Sequence, residues 1–139
     1  MLKRDKILCD ITYEEEKLTE LEIECDKRQI RQVFLNLFNN SIYAIKEKMS
    51  KGGSIKIFIR SLDDNYIEIQ FKDNGIGILP ENKDYVFEPS FTTKGEKGSG
   101  FGLAICKRIV EDNHCGQIRV ESIYQEYTIF FIKLKKKCE

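Results

Sequence analysis

The chain has 139 residues, of which 41% are hydrophobic and 33% are charged, and its 23 basic and 23 acidic side chains leave no net charge. This length fits one compact domain, and this composition excludes a disordered tail and a membrane protein. The charge balance also argues against a dedicated nucleic-acid binder, which carries a basic footprint.

The first part of the chain carries two strand patterns and one helix pattern. Lys6 to Thr12 and Leu18 to Glu24 predict strands, the second because apolar and acidic residues alternate. Asp26 followed three residues later by Gln29 is the pattern of a capping box at the start of a helix. The helix that we predict there has apolar residues at three- and four-residue spacing and ends at Lys51-Gly52-Gly53.

The middle of the chain predicts a hairpin and then a long irregular stretch. Residues 55–59 and 67–71 alternate with period two on either side of the polar turn Asp63-Asp64-Asn65. From Asp73 to Gly100 the chain is rich in glycine and contains both prolines, and only a short helical turn near Tyr85 is predicted. A stretch this long with little regular structure is uncommon in a compact domain and is usually functional.

The last part of the chain predicts a second helix, from Phe101 to about Asp112, and two closing strands at 118–120 and 128–134. We find no internal repeat and no linker in the sequence, so we expect one domain over residues 1–139. The elements together predict an α+β two-layer sandwich, in which helices cover one face of a mixed, largely antiparallel sheet.

The cysteines and the N-terminus bear on the cellular compartment. The five cysteines are odd in number and form no CxxC pair, which argues against a disulfide framework and a structural zinc site. The N-terminus lacks the apolar stretch of a signal peptide, and no apolar run approaches the ~20 residues that cross a bilayer. We therefore expect a cytoplasmic location, where thiols stay reduced.

Two asparagines on the first helix form the first candidate motif. Asn36 and Asn40 are four residues apart, so they share one helical face beside the apolar stripe. An asparagine amide oxygen there suits a hydrated Mg²⁺, which prefers oxygen ligands. The alternative is that both amides bond to neighbouring backbone or to solvent, and the pair alone favours that alternative.

The segment Asp73-Asn74-Gly75-Ile76-Gly77 follows the second strand of the hairpin and forms the second motif. A carboxylate at a strand end can accept a hydrogen bond from the exocyclic amine of adenine. Glycines beside it allow a flat ring to approach the backbone, and Ile78 could line the ring. By itself the motif is also an ordinary turn sequence.

Two further motifs follow in the irregular stretch. Gly98-Ser99-Gly100-Phe101-Gly102-Leu103 is a glycine-rich loop leading into a helix, where backbone amides suit phosphates, but it has neither P-loop nor Rossmann spacing. Before it lies Val86-Phe87-Glu88-Pro89-Ser90-Phe91-Thr92-Thr93-Lys94, in which Phe87 and Phe91 suggest packing and Lys94 supplies a point charge for phosphate.

The order of the four motifs is more specific than any one of them. Asn-x-x-x-Asn, Asp-x-Gly-x-Gly, Phe-Glu-Pro-x-Phe-Thr-Thr-Lys and Gly-Ser-Gly-Phe-Gly-Leu follow one another between Asp26 and Ile132. In this succession they closely resemble the N, G1, F and G2 boxes of the ATP-binding catalytic domain of sensor histidine kinases. That superfamily, with its Bergerat-type ATP-binding fold, also holds gyrase B, the heat-shock chaperone ATPases and the mismatch-repair ATPases.

The resemblance implies a role for the residues of the first two motifs. Asn40 would be the Mg²⁺ ligand and Asn36 its catalytic companion on the preceding turn. Asp73 would hold the adenine amine, and the pocket around the ring would be shaped by Gly75, Gly77 and Ile78.

The resemblance also implies that the segment between Gly77 and Gly98 is an ATP lid. Phe87 and Phe91 would anchor the lid or face partner helices, and Lys94 would neutralise phosphate charge. Further nucleotide contacts would come from Thr93, Gly98, Ser99, Gly100, Phe101, Gly102 and Leu103.

The function that the resemblance implies is donation of the γ-phosphate of Mg-ATP to a histidine on a separate dimerisation and phosphoacceptor segment, in two-component signalling. The acceptor helices are not found in this sequence, and a response regulator would act downstream. The only histidine, His114, matches a turn of the family rather than its phosphorylated segment, so we expect a structural role for it. The parent protein would be cytoplasmic or a membrane-bound sensor with this part in the cytoplasm.

Three alternatives stay open within the resemblance: a serine kinase of the anti-sigma-factor type, a non-catalytic ATP-sensing module and a hydrolytic chaperone-like ATPase. The serine kinases and the ATPases of the superfamily carry a glutamate at the position of Asn36. An amide cannot take a proton at neutral pH, so Asn36 fits a domain that withholds ATP from water. The intact Asn40 and Asp73 argue against a degenerate domain.

Overall fold

A computed structural model of the protein describes residues 7–13, 22–48, 52–89, 91 and 102–137. The regular elements in order are β1 (Leu8–Tyr13), α1 (Lys27–Lys48), β2 (Ser54–Ser61), β3 (Tyr66–Asp73), a 3₁₀ turn (Pro80–Tyr85), α2 (Gly102–Lys107) with a π-helical continuation (Arg108–Asp112), β4 (Gln117–Ile123) and β5 (Tyr127–Lys135).

The five strands form one sheet in the order β1-β2-β3-β5-β4. β1 is parallel to β2, and every other neighbouring pair is antiparallel. β3 is therefore the central strand. After β3 the chain leaves the sheet, returns as the edge strand β4, and then places β5 between β4 and β3. The predicted mixed, largely antiparallel sheet with helices on one face is confirmed.

The core lies between α1, α2 and one face of the sheet. α1 turns the stripe Val33, Leu37, Ser41 and Ile45 inward, at the four-residue spacing of one helical face. Phe71 of β3 is fully buried against this stripe, and its ring meets the ring of Phe38 edge-on at 4.9 Å. Many of the other buried apolar residues come from alternate positions of β2, β3 and β5, as a sheet with one covered face requires. The core is completed by Cys106 of α2, Ile109 and Val110 of the π-helical segment, and Ile118 of β4.

The start of α1 confirms one half of the predicted capping box and contradicts the other. Oδ1 of Asp26 accepts hydrogen bonds from the backbone N–H groups of Arg28 and Gln29 at 3.0 and 3.2 Å, as an N-cap should. The side chain of Gln29 accepts instead from Asn113. The backbone N–H of Asp26 donates to His114, so a distant residue takes the place that the local pattern gave to Gln29.

Two further predictions of secondary structure differ from what is observed. The described end of the predicted strand Leu18 to Glu24, residues 22–24, has no strand conformation, and residues 18–21 lie outside the described ranges. The N–H of Glu24 donates to the carbonyl of Lys136, just after β5, at 2.9 Å, and the side chain of Ile23 packs against the core. The second helix is α-helical only to Lys107 and continues as a π-helix to Asp112.

Two further observations concern the cysteines and the character of the helices. Cys9, Cys25 and Cys106 are free, but Cys115 is disulfide-bonded, so the expectation that the thiols stay reduced is wrong for Cys115. Within the described ranges, no helix combines the length and the apolar character that a membrane span requires.

Candidate functional site

The carboxyl group of Asp73 lies at the end of the central strand and is almost completely buried. Its Oδ2 accepts a hydrogen bond from the Ser41 hydroxyl at 2.9 Å, and its Oδ1 accepts from the backbone N–H of Gly75 at 2.9 Å. Burial raises the pKa of Asp73 above its ordinary 3.8, against smaller opposing effects of these two bonds and of the Lys48 charge. Each carboxylate oxygen has a second lone pair, so the group can accept further bonds.

A row of buried polar side chains runs across the sheet from Asp73. Thr128 of β5 stands opposite Asp73 in the strand register, and Ser122 of β4 stands opposite Thr128. The Ser122 hydroxyl donates to the carbonyl of Tyr127 at 2.7 Å, so the 3.0 Å contact between Ser122 and Thr128 must use the Thr128 hydrogen. Thr128 keeps its acceptor lone pairs, and the end of the sheet therefore presents hydrogen-bond acceptors.

Ser41, Thr128 and Ser122 also lie at this end of the sheet, and their place there was not predicted from the sequence. The signal for Ser41 was a small hydroxyl in the middle of an otherwise apolar helical stripe, which implies a buried polar partner. The signal for Thr128 was its place at an inward position of an alternating strand. Neither signal names the partner, because the partners are distant in sequence.

The two glycines after Asp73 meet protein atoms rather than open space. A Cβ on Gly75 would lie 2.6 Å from the Ala44 carbonyl carbon, and the next residue, Ile76, donates its N–H to the Ala44 carbonyl at 2.9 Å. Gly77 has φ of +74° and faces the backbone of Ile123. Both glycines thus shape the loop by allowing close packing against α1 and the β4–β5 turn.

The loop after Gly77 is fixed to the sheet through Ile78. Its backbone N–H donates to the Ser122 hydroxyl at 2.8 Å, and its side chain is half-buried. Asp73, Gly75, Gly77 and Ile78, all predicted from one motif, are brought together at this end of the sheet.

The two asparagines of α1 lie on one side of the helix and are both half-buried. Asn36 accepts a hydrogen bond from the Gln32 amide at 2.9 Å and donates one to the carbonyl of Gly102 at 3.0 Å. Asn36 therefore joins α1 to the first residue of α2. Asn40 lies one turn further along α1 than Asn36 and directly before Ser41, the residue that bonds Asp73.

The lid prediction is only partly within the described residues. Phe87 is half-buried and packs on the core, with its ring edge-on to Phe130 at 6.2 Å and the Lys107 ammonium 5.9 Å from its centre. Phe91 is half-buried, and its N–H donates to the Glu88 carbonyl at 3.2 Å. Gly102 and Leu103 form the first turn of α2. Outside the described residues lie Thr93, Lys94, Gly98, Ser99, Gly100 and Phe101.

His114 is buried, and both of its ring nitrogens are engaged. Nδ1 lies 2.8 Å from the carbonyl oxygen of Ile109, and Nε2 lies 2.9 Å from the backbone nitrogen of Asp26. Since a carbonyl only accepts and an N–H only donates, the ring is the neutral tautomer with its proton on Nδ1. This arrangement agrees with the structural role expected for His114.

Most of the chain matches a known protein family. A family described as histidine kinase-, DNA gyrase B-, and HSP90-like ATPase matches residues 25–137. Sporulation kinase E of Bacillus subtilis (strain 168) is 40% identical over 112 residues, which are 81% of this chain and 14% of that protein. Sporulation kinase D of the same organism is 42% identical over 117 residues, or 83% of this chain and 22% of that protein.

Solved structures agree with the sequence relatives. A nucleotide-free form of the catalytic domain of histidine kinase ThkA matches with a TM-score of 0.77 and 32% identity, over 94% of this chain and 80% of that one. ThkA in complex with the response regulator protein TrrA matches with a TM-score of 0.72 and 30% identity, over 94% of this chain and 34% of that one. The chain thus spans a small part of the full-length relatives and most of an isolated catalytic domain.

Proposed function

Because the chain belongs to the family of histidine kinase-, DNA gyrase B-, and HSP90-like ATPases, we propose that it binds Mg-ATP and donates the γ-phosphate to a histidine on a separate phosphoacceptor segment. The relatives named as sporulation kinases and the catalytic domain of ThkA support this activity for the whole protein. A cytoplasmic location follows in the proposal, since ATP is supplied there.

The single observation that carries the proposal is the buried carboxyl of Asp73 at the end of β3. A buried acid with spare lone pairs, next to a threonine acceptor, suits a ligand that donates hydrogen bonds from a flat ring. The exocyclic amine of adenine is such a donor, whereas guanine has a carbonyl at the corresponding ring position. We therefore infer that Asp73 selects adenine nucleotides.

The chemistry of Asn36 supports transfer to a protein group rather than to water. A glutamate at this position could serve as a general base, but an amide has no proton-accepting capacity at neutral pH. Asn36 also uses its amide to bond Gln32 and Gly102. We propose that it holds α2 in place beside the phosphates and leaves ATP stable until an acceptor arrives.

The donor set of α1 fits a magnesium ion that is held mainly by phosphate and water. Among the described residues, no group of three or more histidine, cysteine, aspartate or glutamate side chains could hold a metal. Mg²⁺ bound with a nucleotide needs only one or two protein oxygens, and we propose that the Asn40 amide supplies one. When bound, the ion neutralises charge on the phosphates during transfer.

The phosphate side of the site is proposed from sequence. Lys94 and Thr93 would face the phosphates from the lid, and the backbone of Gly98, Ser99, Gly100, Phe101, Gly102 and Leu103 would follow the triphosphate. The partners proposed are the acceptor-histidine helices of the same parent kinase and a response regulator. The complex of ThkA with TrrA supports the second partner by analogy.

The experiment that tests the proposal is calorimetric titration with ATP and with GTP in the presence of Mg²⁺. Wild type, Asp73→Asn and the matched control Asp64→Asn, in the exposed β2–β3 turn, would be compared. We expect ATP binding in wild type and in the control and a loss of at least about tenfold in Asp73→Asn, since one charged acceptor is lost. Unchanged ATP affinity in Asp73→Asn would remove the adenine assignment.

A second step separates transfer from binding. Labelled ATP would be added to this chain together with the histidine-bearing helices of its parent protein. Label on those helices supports the kinase. ATP binding without any transfer would instead support an ATP-sensing module, and rapid ATP hydrolysis without an acceptor would contradict the role given to Asn36.

A further inference from the structure

Lys48 is the last residue of α1, and its ammonium group bridges two loops. Nζ donates to the backbone carbonyl of Asn74 at 3.2 Å and to that of Glu126 at 3.4 Å. Asn74 directly follows Asp73, and Glu126 lies in the turn that leads into β5. The lysine thus joins the end of a helix to the ends of two neighbouring strands.

Those two strand ends carry the buried acceptors of the site. Asp73 and Thr128 stand opposite each other in the register of β3 and β5, and α1 supplies Ser41, which bonds Asp73. Lys48 belongs to α1 and bonds the backbone beside each of the two strand ends, so it connects all three elements that form this end of the site. Its positive charge also acts on the Asp73 carboxyl, which it favours in the ionised form.

The geometry points to Lys48 as a positioning residue for adenine recognition. We propose that it holds the loop after Asp73 against the turn before Thr128, so that both acceptors stay open to one ring. This inference rests on the proposed function. A lysine in the last turn of a helix also interacts favourably with the helix dipole. That simpler role must be separated from positioning.

Lys46 provides the matched control, because it lies in the same last turn and is exposed, as Lys48 also is. Lys46→Met removes a charge from the same helix end and leaves the two carbonyl bonds in place. Lys48→Met removes the charge and the bonds, and Lys48→Arg keeps a cation that can donate to both carbonyls. An effect on the helix dipole would lower the ATP affinity of both methionine variants equally. Loss of positioning would lower it only in Lys48→Met.

The test combines ATP titration with amide hydrogen exchange at Gly75, whose N–H bonds Asp73. We expect Lys48→Met to bind ATP about three- to tenfold more weakly than wild type, with Lys46→Met and Lys48→Arg within about twofold. We also expect at least about fivefold faster exchange at Gly75 in Lys48→Met alone, without ligand. Equal ATP affinity and equal exchange in the two methionine variants would overturn the proposal.

The two readouts also separate this proposal from the proposed function. If wild type binds no ATP, the proposed function fails by itself. Faster exchange at Gly75 in Lys48→Met would still support the positioning of the loop after Asp73, and unchanged exchange would refute it. A loss of ATP affinity in Lys48→Met that Lys48→Arg does not restore would also count against it.

Discussion

The backbone N–H of Asp26 donates a hydrogen bond to Nε2 of His114, which lies 88 residues further along the chain. Together with the bond between Nδ1 and the Ile109 carbonyl, this fixes the first turn of α1 to the end of the π-helical segment. The only histidine of the chain is thus a connector between two helices. A phosphoacceptor needs a free ring nitrogen, and neither nitrogen of His114 is free.

We expect His114→Ala to lower the free energy of unfolding by about 2–3 kcal/mol, because it removes a buried side chain that bonds the part-buried N–H of Asp26 and the buried carbonyl of Ile109. Urea denaturation followed by circular dichroism measures the change. Asn113→Ala, at the exposed neighbouring position, should cost no more than about 1 kcal/mol. Equal costs for the two variants, or a phosphate found on His114 after incubation with ATP, would contradict the connector role.

Gly77→Ala should be markedly more destabilising than Gly52→Ala. Both glycines have positive φ, +74° and +81°, so both variants carry the strain of a left-handed residue, about 1–2 kcal/mol. A Cβ on Gly52 would meet no atom within 4 Å, whereas a Cβ on Gly77 would collide with the Ile123 carbonyl. Thermal and urea unfolding should show a further loss of about 1–3 kcal/mol for Gly77→Ala alone.

Titration of Asp73 should make the protein less stable as pH rises. Its pKa is raised in the folded state, so the folded protein holds this proton more tightly than the unfolded chain. The free energy of unfolding from this group therefore falls as pH rises from 3.8 through the raised folded value, and changes no further above it.

The measurement for Asp73 is urea unfolding of wild type and Asp73→Asn between about pH 3.5 and 7, since the variant has no proton to lose there. Wild type should lose stability relative to Asp73→Asn as pH rises through that window. Asp64→Asn serves as the exposed control. A difference that stays constant, or that changes in the opposite direction, would show that burial does not dominate at Asp73.

Cys106 should be chemically inert in the folded protein. Its side chain is fully buried, its Sγ donates to the Val33 carbonyl at 3.8 Å, and burial raises the pKa of the thiol to about 11. At about pH 8 roughly one molecule in a thousand would carry the reactive thiolate. Iodoacetamide labelling read by mass spectrometry should leave Cys106 unmodified while Cys9, which is exposed, reacts. Labelling in urea should remove the protection.

The parts of the fold set by local patterns were predictable from sequence. Periodicity predicted α1, the β2–β3 hairpin and β5, and a side-chain cap predicted the start of α1 at Asp26. Asp73 was correctly predicted to lie at the end of β3, because a carboxylate after an alternating strand is a local feature. The roles of Asn40, Lys94 and the G2 glycines stay predictions, since they depend on a nucleotide.

The features that sequence analysis missed all depend on residues far apart in the chain. The alternation in Leu18 to Glu24 resembles a strand, but a strand needs an edge to pair with, and its described end makes only one bond to Lys136. His114 replaces Gln29 at the start of α1 only because the π-helical segment ends beside it. Likewise, nothing local indicates that Lys48 reaches Glu126.

The position of β3 between β2 and β5 has a consequence for the order in which the protein is made. During synthesis β3 can pair with β2 as soon as the hairpin emerges, but its other edge stays open until β5, the last strand of the sheet in chain order, has left the ribosome. Until then Asp73 lies at the end of an edge strand and in contact with water. An unfinished chain therefore leaves the Asp73 carboxyl unburied, and the adenine contact that we propose for it can form only after β5 has been made.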